Sequence, residues 1–154
     1  MNRSVFTRIV SGLAVLAVAL SAHLLAGQDK PAESGKLAVS VDYTGKGTVD
    51  KDHHLWIWVF DNPDSSTWAD TSPLAVGTLT EDGATYKFAA LPKQVYLAAG
   101  YDEKGGYDGT SGAPPQGTPV AVYGAEAGGP AAAVPTGGDD ATLKFSFDDS
   151  FRMP

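Results

Sequence analysis

Six consecutive residues, Leu55-Trp56-Ile57-Trp58-Val59-Phe60, constrain the fold of this chain more than any other stretch. All are β-branched, aromatic or Leu, so both faces of an extended segment here are apolar. A strand of that kind sits centrally and needs cover on both sides. Turn-forming sequence brackets the run, with Gly45-Lys46-Gly47 and the polar residues 48–52 before it. After it, residues 61–73 are rich in Asp, Asn, Pro, Ser and Thr. A helix has no room between such boundaries.

The remaining apolar sequence repeats with a period of two. From Lys36 to Thr44, Leu37, Val39, Val41 and Tyr43 share one face, and Ala38, Ser40 and Asp42 the other. Leu74 to Thr80 and Ala84 to Leu91 flank Glu81-Asp82-Gly83, where Asp-Gly predicts a tight hairpin. Gln94 to Tyr101 puts Val95, Leu97 and Ala99 opposite Tyr96 and Ala98. Val120 to Tyr123 reads as a short strand. Ala141 to Phe147 closes the domain with Leu143, Phe145 and Phe147 on one face. The Gly/Pro-rich residues 102–119 and 124–138 read as irregular. No segment beyond the leader sustains a 3.6-residue apolar period. The expectation is an all-β fold, a single antiparallel β-sandwich of six to seven strands with Greek-key-type connections.

The first 27 residues read differently. Arg3 and Arg8 give a positive start, Leu13 to Leu20 is wholly apolar, and Ser21, Ala22, Ala26 and Gly27 form a small-residue exit. That is the pattern of a signal peptide over residues 1–27, cut after Ala22 or around Ala26 and Gly27. The competing reading is an uncleaved anchor, since the uncharged stretch from Ile9 to Gly27 nears the length of a membrane span. Residues 28–35 form a polar tether, and residues 36–154 the β-domain. The chain is therefore expected to be exported, to the periplasm or beyond, touching membrane only through an uncleaved leader.

Charge and cysteine content narrow the chemistry. Acidic side chains number 18 against 11 basic ones, net −7, and two of the basic ones lie in the leader. Such a surface repels phosphate backbones, so no nucleic-acid partner is expected. The absence of cysteine removes thiol nucleophiles, disulfides, zinc–thiolate sites and the lipoprotein route.

The pattern Tyr86-x-Phe88-x-x-Leu91-Pro92-x-x-x-Tyr96-x-x-Ala99-x-x-Asp102 resembles the repeating core of transthyretin-like and carboxypeptidase-regulatory-like β-sandwiches. Phe88 and Leu91 enter the core, Pro92 makes the corner, and Tyr96 begins the next strand. Asp102 to Asp108, Gly117-Thr118-Pro119 and Tyr123-Gly124 resemble the continuation found in exported bacterial domains of this type. Lys93-Gln94 departs from the Gly usual at the corner. The resemblance implies a sandwich fold and a non-catalytic module.

Four groups of residues could carry chemistry. Asp102, Glu103 and Asp108, with Gly105-Gly106 as a bend, supply oxygens for calcium, although Lys104 stands where a ligand would be expected. His53-His54 point to opposite faces of an extended chain, so they do not share one ion. Trp56, Trp58 and Trp68, with Tyr43, Tyr96, Tyr101 and Tyr107 possible neighbours, form a sugar-stacking platform if exposed and a core if buried; Trp68, set among Ser, Thr and Asp, is the one expected at the surface. Asp139-Asp140 and Asp148-Asp149 bracket the last strand, and paired carboxylates hydrolyse glycosides only across a cleft. The sequence therefore points to an exported, non-catalytic module with no required cofactor, binding a protein or glycan partner or serving envelope structure. The alternatives are a carbohydrate-binding module built on the three tryptophans, and a small acidic-residue hydrolase.

Overall fold

A computed structural model describes residues 35–125, 129–138 and 141–154. The leader, the tether up to Ser34, and Asp139-Asp140 lie outside the described residues. Eight strands follow in order: β1 (Gly35–Tyr43), β2 (Leu55–Phe60), β3 (Ala75–Leu79), β4 (Thr85–Leu91), β5 (Gln94–Tyr101), β6 (Val120–Val122), β7 (Val134–Pro135) and β8 (Thr142–Phe147). A 3-10 helix, Ser65–Asp70, interrupts the loop between β2 and β3. The fold is all-β. One sheet has the order β4-β1-β8, and the other β3-β2-β5-β6, with β7 sharing the β6 edge of β5.

The alternation read along β1 places Leu37, Val39, Val41 and Tyr43 inward. They meet Leu55, Ile57, Val59, Val95, Leu97 and Ala99 of the second sheet in one apolar cluster. Ile57, Val59, Val95 and Leu97 have no exposed surface at all. The resemblance-derived corner is equally buried, with Phe88 5% and Leu91 3% exposed. Gly35 pairs with Leu91 and Leu37 with Phe88, so β4 carries one residue more than β1 between them. That bulge puts Ala90 at φ 58°, a conformation a non-Gly residue adopts only under constraint.

Two expectations fail. The sheets are not purely antiparallel: β8 runs parallel to β1, with Val39 paired to Leu143 and Val41 to Phe145. Parallel neighbours need a long connection, and nearly the whole chain separates these two. The Asp82-Gly83 turn forms, with Gly83 at φ 69°, but it does not close a hairpin. β3 and β4 belong to different sheets. The turn's polar groups serve β1 instead. Tyr43 N donates to Asp82 Oδ1 at 2.7 Å, and Gly83 N to Val41 O at 3.2 Å. Gly77 lets β4 lean in, for a Cβ there would lie 2.8 Å from both Tyr86 and Phe88. The expected six to seven strands are also one short of the eight observed, because β7 lies in the Ala/Gly/Pro-rich stretch that reads as irregular.

Beyond β8 the chain crosses from the first sheet to the edge of the second. Val120 N donates to Phe151 O at 3.1 Å, Gly117 N to Met153 O at 2.9 Å, and Met153 N to Thr118 O at 2.9 Å. The C-terminal residues thus tie β6 to the end of β8.

Candidate functional site

The side chains of β2 that face away from the shared core build a second apolar cluster: Trp56, Trp58 and Phe60, with Trp68, Ala98 and Ala131. The same-face placement of Trp56 and Trp58 follows from strand alternation. Their exposure does not fit an open platform, since Trp56, Trp58 and Trp68 are only 8%, 6% and 8% exposed. Trp68, expected at the surface, is buried because the 3-10 helix folds it flat onto Phe60, ring centroids 4.1 Å apart. Asp64 caps that helix by accepting from Ser66 N. Of the tyrosines, Tyr107 and Tyr96 adjoin this cluster, whereas Tyr43 and Tyr101 stack on each other in the inner core.

Residues after β5 cover the tryptophans. Trp58 Nε1 donates to Gly109 O at 2.8 Å, and the Tyr107 ring packs edge-on to Trp56. Gly109, at φ +75°, lies so close that a Cβ would fall 2.3 Å from Trp56 Cε3. Only glycine combines that backbone with that approach. Within the same group of rings, Trp56 Nε1 and His54 Nδ1 are buried without a hydrogen-bond partner. The two rings sit edge to face at 5.7 Å. Strand alternation could have placed His54 beside Trp56, but nothing local marks their nitrogens as unpaired.

The three acids proposed for calcium do not converge. Asp102 is buried, and its Oδ2 accepts from Tyr107 N at 3.0 Å. Glu103 points to Arg152, Oε2 to Nη1 at 2.7 Å. Asp108 turns back on its own loop, accepting from Thr110 N and Ser111 N, both at 2.8 Å. Among the described residues no group of three His, Cys, Asp or Glu side chains is placed to hold a metal ion. His53 bonds to Asp50 at 3.0 Å, away from His54's unpaired nitrogen.

Asp148 and Asp149 are likewise held in local structure. Asp148 accepts from Ser150 N at 2.8 Å. Asp149 accepts from the Tyr43 hydroxyl and from Lys46 N, and pairs with Arg152 at 3.2 Å. The links from Asp149 to Tyr43 and Lys46 span 106 and 103 positions, so no sequence spacing announces them. An open groove of about 390 Å³ between β7 and the start of β8 is lined by Tyr123, Val134, Thr136 and Leu143, and among the described residues its lining holds no carboxylate, His or Lys.

The carboxylates and buried tyrosines predict a stability profile with two limbs. The Thr110 backbone N–H and the Ser111 hydroxyl and N–H hold Asp108 down to about 2. Asp50 is lowered by the N–H groups of Asp52 and His53, Asp148 by Ser150, and Asp149 by the Tyr43 hydroxyl and Lys46 N. A carboxyl depressed on folding contributes stability fully above its unfolded value, near 3.8, and loses it as pH falls toward the folded value. Burial, reinforced by Asp149, raises Tyr43, and burial raises Tyr101 and Tyr107. Their contribution is complete below the unfolded value of 10.0 and is lost as pH climbs above it. Urea midpoints are expected to fall at both extremes, Asp108→Asn shrinking the acid limb and Tyr43→Phe the alkaline one. A midpoint unchanged from about pH 7 to pH 2 contradicts the carboxylate assignments.

No family model, curated protein or solved structure matches this chain, and no comparison assigns it a catalytic function.

Proposed function

We propose that this chain is an exported, non-catalytic β-sandwich of the transthyretin-like or carboxypeptidase-regulatory-like type, with a binding or structural role in the cell envelope or outside the cell. The leader pattern supports export. The apolar cluster shared by the two sheets supports the sandwich, which would stand on its core because it has no disulfide. The engagement of Asp102, Glu103, Asp108, Asp148 and Asp149 in turns and ion pairs argues against hydrolytic use of these acids.

One observation carries the binding role: the outer face of β4-β1-β8 presents exposed side chains on both flanking strands. Lys87, Ala38 and Thr142 form one row across it, and Thr85, Ser40 and Lys144 the next. Lys87, Lys144, Thr85 and Thr142 are exposed around small central residues. Small side chains at the centre, flanked by lysines and threonines, leave room for a partner to approach the strands. The other sheet keeps no such face free, since loops cover its outer side.

The test is co-sedimentation with envelope fragments of the producing cell. Wild type is expected in the pellet. Ala38→Arg combined with Lys144→Glu, with an unchanged urea midpoint, is expected in the supernatant. Equal pelleting of both proteins, or of neither, overturns the sheet-face reading.

A further inference from the structure

We propose that the covered tryptophan face is a closed binding site for one pyranose ring of a neutral β-linked glycan, with residues 105–112 as its displaceable cover. This site is separate from the outer face of β4-β1-β8 and does not depend on it. The primary observation is the pair of orphaned atoms, Trp56 Nε1 and His54 Nδ1, buried in the chain of rings that runs from His54 through Trp56 to the cover's Tyr107. Leaving a buried polar atom unpaired forfeits hydrogen bonds it makes in water, so each such atom calls for an explanation. Phenylalanine at 56 would fill the same space without the N–H. Packing alone therefore accounts for the ring but not for its nitrogen.

Opening the cover would give both atoms partners. It would also free Trp58 Nε1, whose acceptor in the closed form is the cover's own Gly109 O at 2.8 Å. The uncovered surface would then present two indole donors and one imidazole nitrogen beside flat aromatic faces. Ligand sites combine these features, an apolar wall with a few convergent polar groups. A β-linked pyranose with equatorial hydroxyls matches that surface, because its C–H face stacks on an indole and its rim hydroxyls both donate and accept. The protein's negative charge disfavours an acidic sugar.

Glycines shape the cover. Gly105, Gly106, Gly109 and Gly112 all have positive φ, and a Cβ at Gly106 or Gly112 would meet nothing within 4 Å. The cover is held by the Trp58–Gly109 hydrogen bond, the Gly109–Trp56 contact and the Tyr107 ring, and by the bond from Tyr107 N to buried Asp102, which would act as its hinge. Trp68, stacked on Phe60 beneath the 3-10 helix, lies outside this cover and serves as an internal control.

The experiment follows the three indole N–H signals of the ¹⁵N-labelled protein, assigned by Trp56→Phe and Trp58→Phe, during titration with cellohexaose and, separately, chitohexaose. Saturable shifts of the Trp56 and Trp58 signals, with Trp68 unmoved, are expected. Trp56→Phe should bind at least tenfold more weakly while unfolding at no lower urea concentration. Gly109→Ala, which forces the cover off Trp56, should bind several-fold more tightly, since less of the population remains closed. If Gly109→Ala does not fold, the wild-type titration decides alone. Absence of Trp56 and Trp58 shifts with both sugars overturns the proposal, as does a response confined to Trp68. The Ala38→Arg, Lys144→Glu protein should keep the sugar response, so the two readings fail separately.

Discussion

Leu97→Ala is expected to lower the free energy of unfolding by about 2–5 kcal/mol, the range for deleting a buried leucine where the surroundings relax only partly. Leu97 has no exposed surface and stands in the middle of β5, paired to Val59 of β2. Its neighbours belong to the cluster that both sheets share, so neither sheet alone can close over the space left behind. Natural domains hold only about 5–15 kcal/mol in total, so this one change removes a large share. The measurement is urea denaturation at constant slope, with Leu74→Ala as the control. Leu74 is 47% exposed, and its replacement should stay within about 0.5 kcal/mol. A Leu97→Ala protein as stable as the control would mean that the two sheets do not depend on a common core.

Deleting residues 149–154 is expected to cost about 4–6 kcal/mol, although these residues contribute little to the core. Three backbone hydrogen bonds to residues 117–120 would go, each worth about 1 kcal/mol net. The Arg152 pair with Glu103 is partly exposed and adds little. A further loss is at Tyr43, whose ring is 6% exposed and whose hydroxyl donates to Asp149. Without Asp149 it keeps only a long contact to Lys46 O at 3.3 Å, and an unsatisfied buried hydroxyl costs about 1–3 kcal/mol. Tyr43→Phe in the shortened chain should therefore recover about 1 kcal/mol, while the same change in the full chain destabilises. The double-mutant cycle reads that opposition directly. Additive effects would show that the tail acts without Tyr43.

Much of this fold was legible in short-range pattern. Alternation located β1, β4, β5 and β8 and assigned their inward residues, because a side-chain period of two depends on the strand alone. The same rule placed Trp56 and Trp58 together. Strand partners were not legible. The Asp82-Gly83 dipeptide determines a turn, since Gly83 accepts positive φ, but whether that turn closes a hairpin or changes sheet depends on what packs beside Gly77. The parallel pairing of β1 and β8 likewise rests on apolar faces that meet only after the intervening chain has folded.

The candidate site divides along the same line. Residue types identified aromatics, acids and histidines able to do chemistry. Burial and partnership then decided their roles: Asp108 closes a turn, Glu103 holds Arg152, and Trp68 lies flat against Phe60. Local sequence was enough for the longer strands, their inward faces and the same-side placement of Trp56 and Trp58, because backbone geometry and residue shape act over a few residues. Tertiary structure alone decided that Gly109 covers Trp56 and leaves its nitrogen unpaired, because that close approach depends on how distant segments pack.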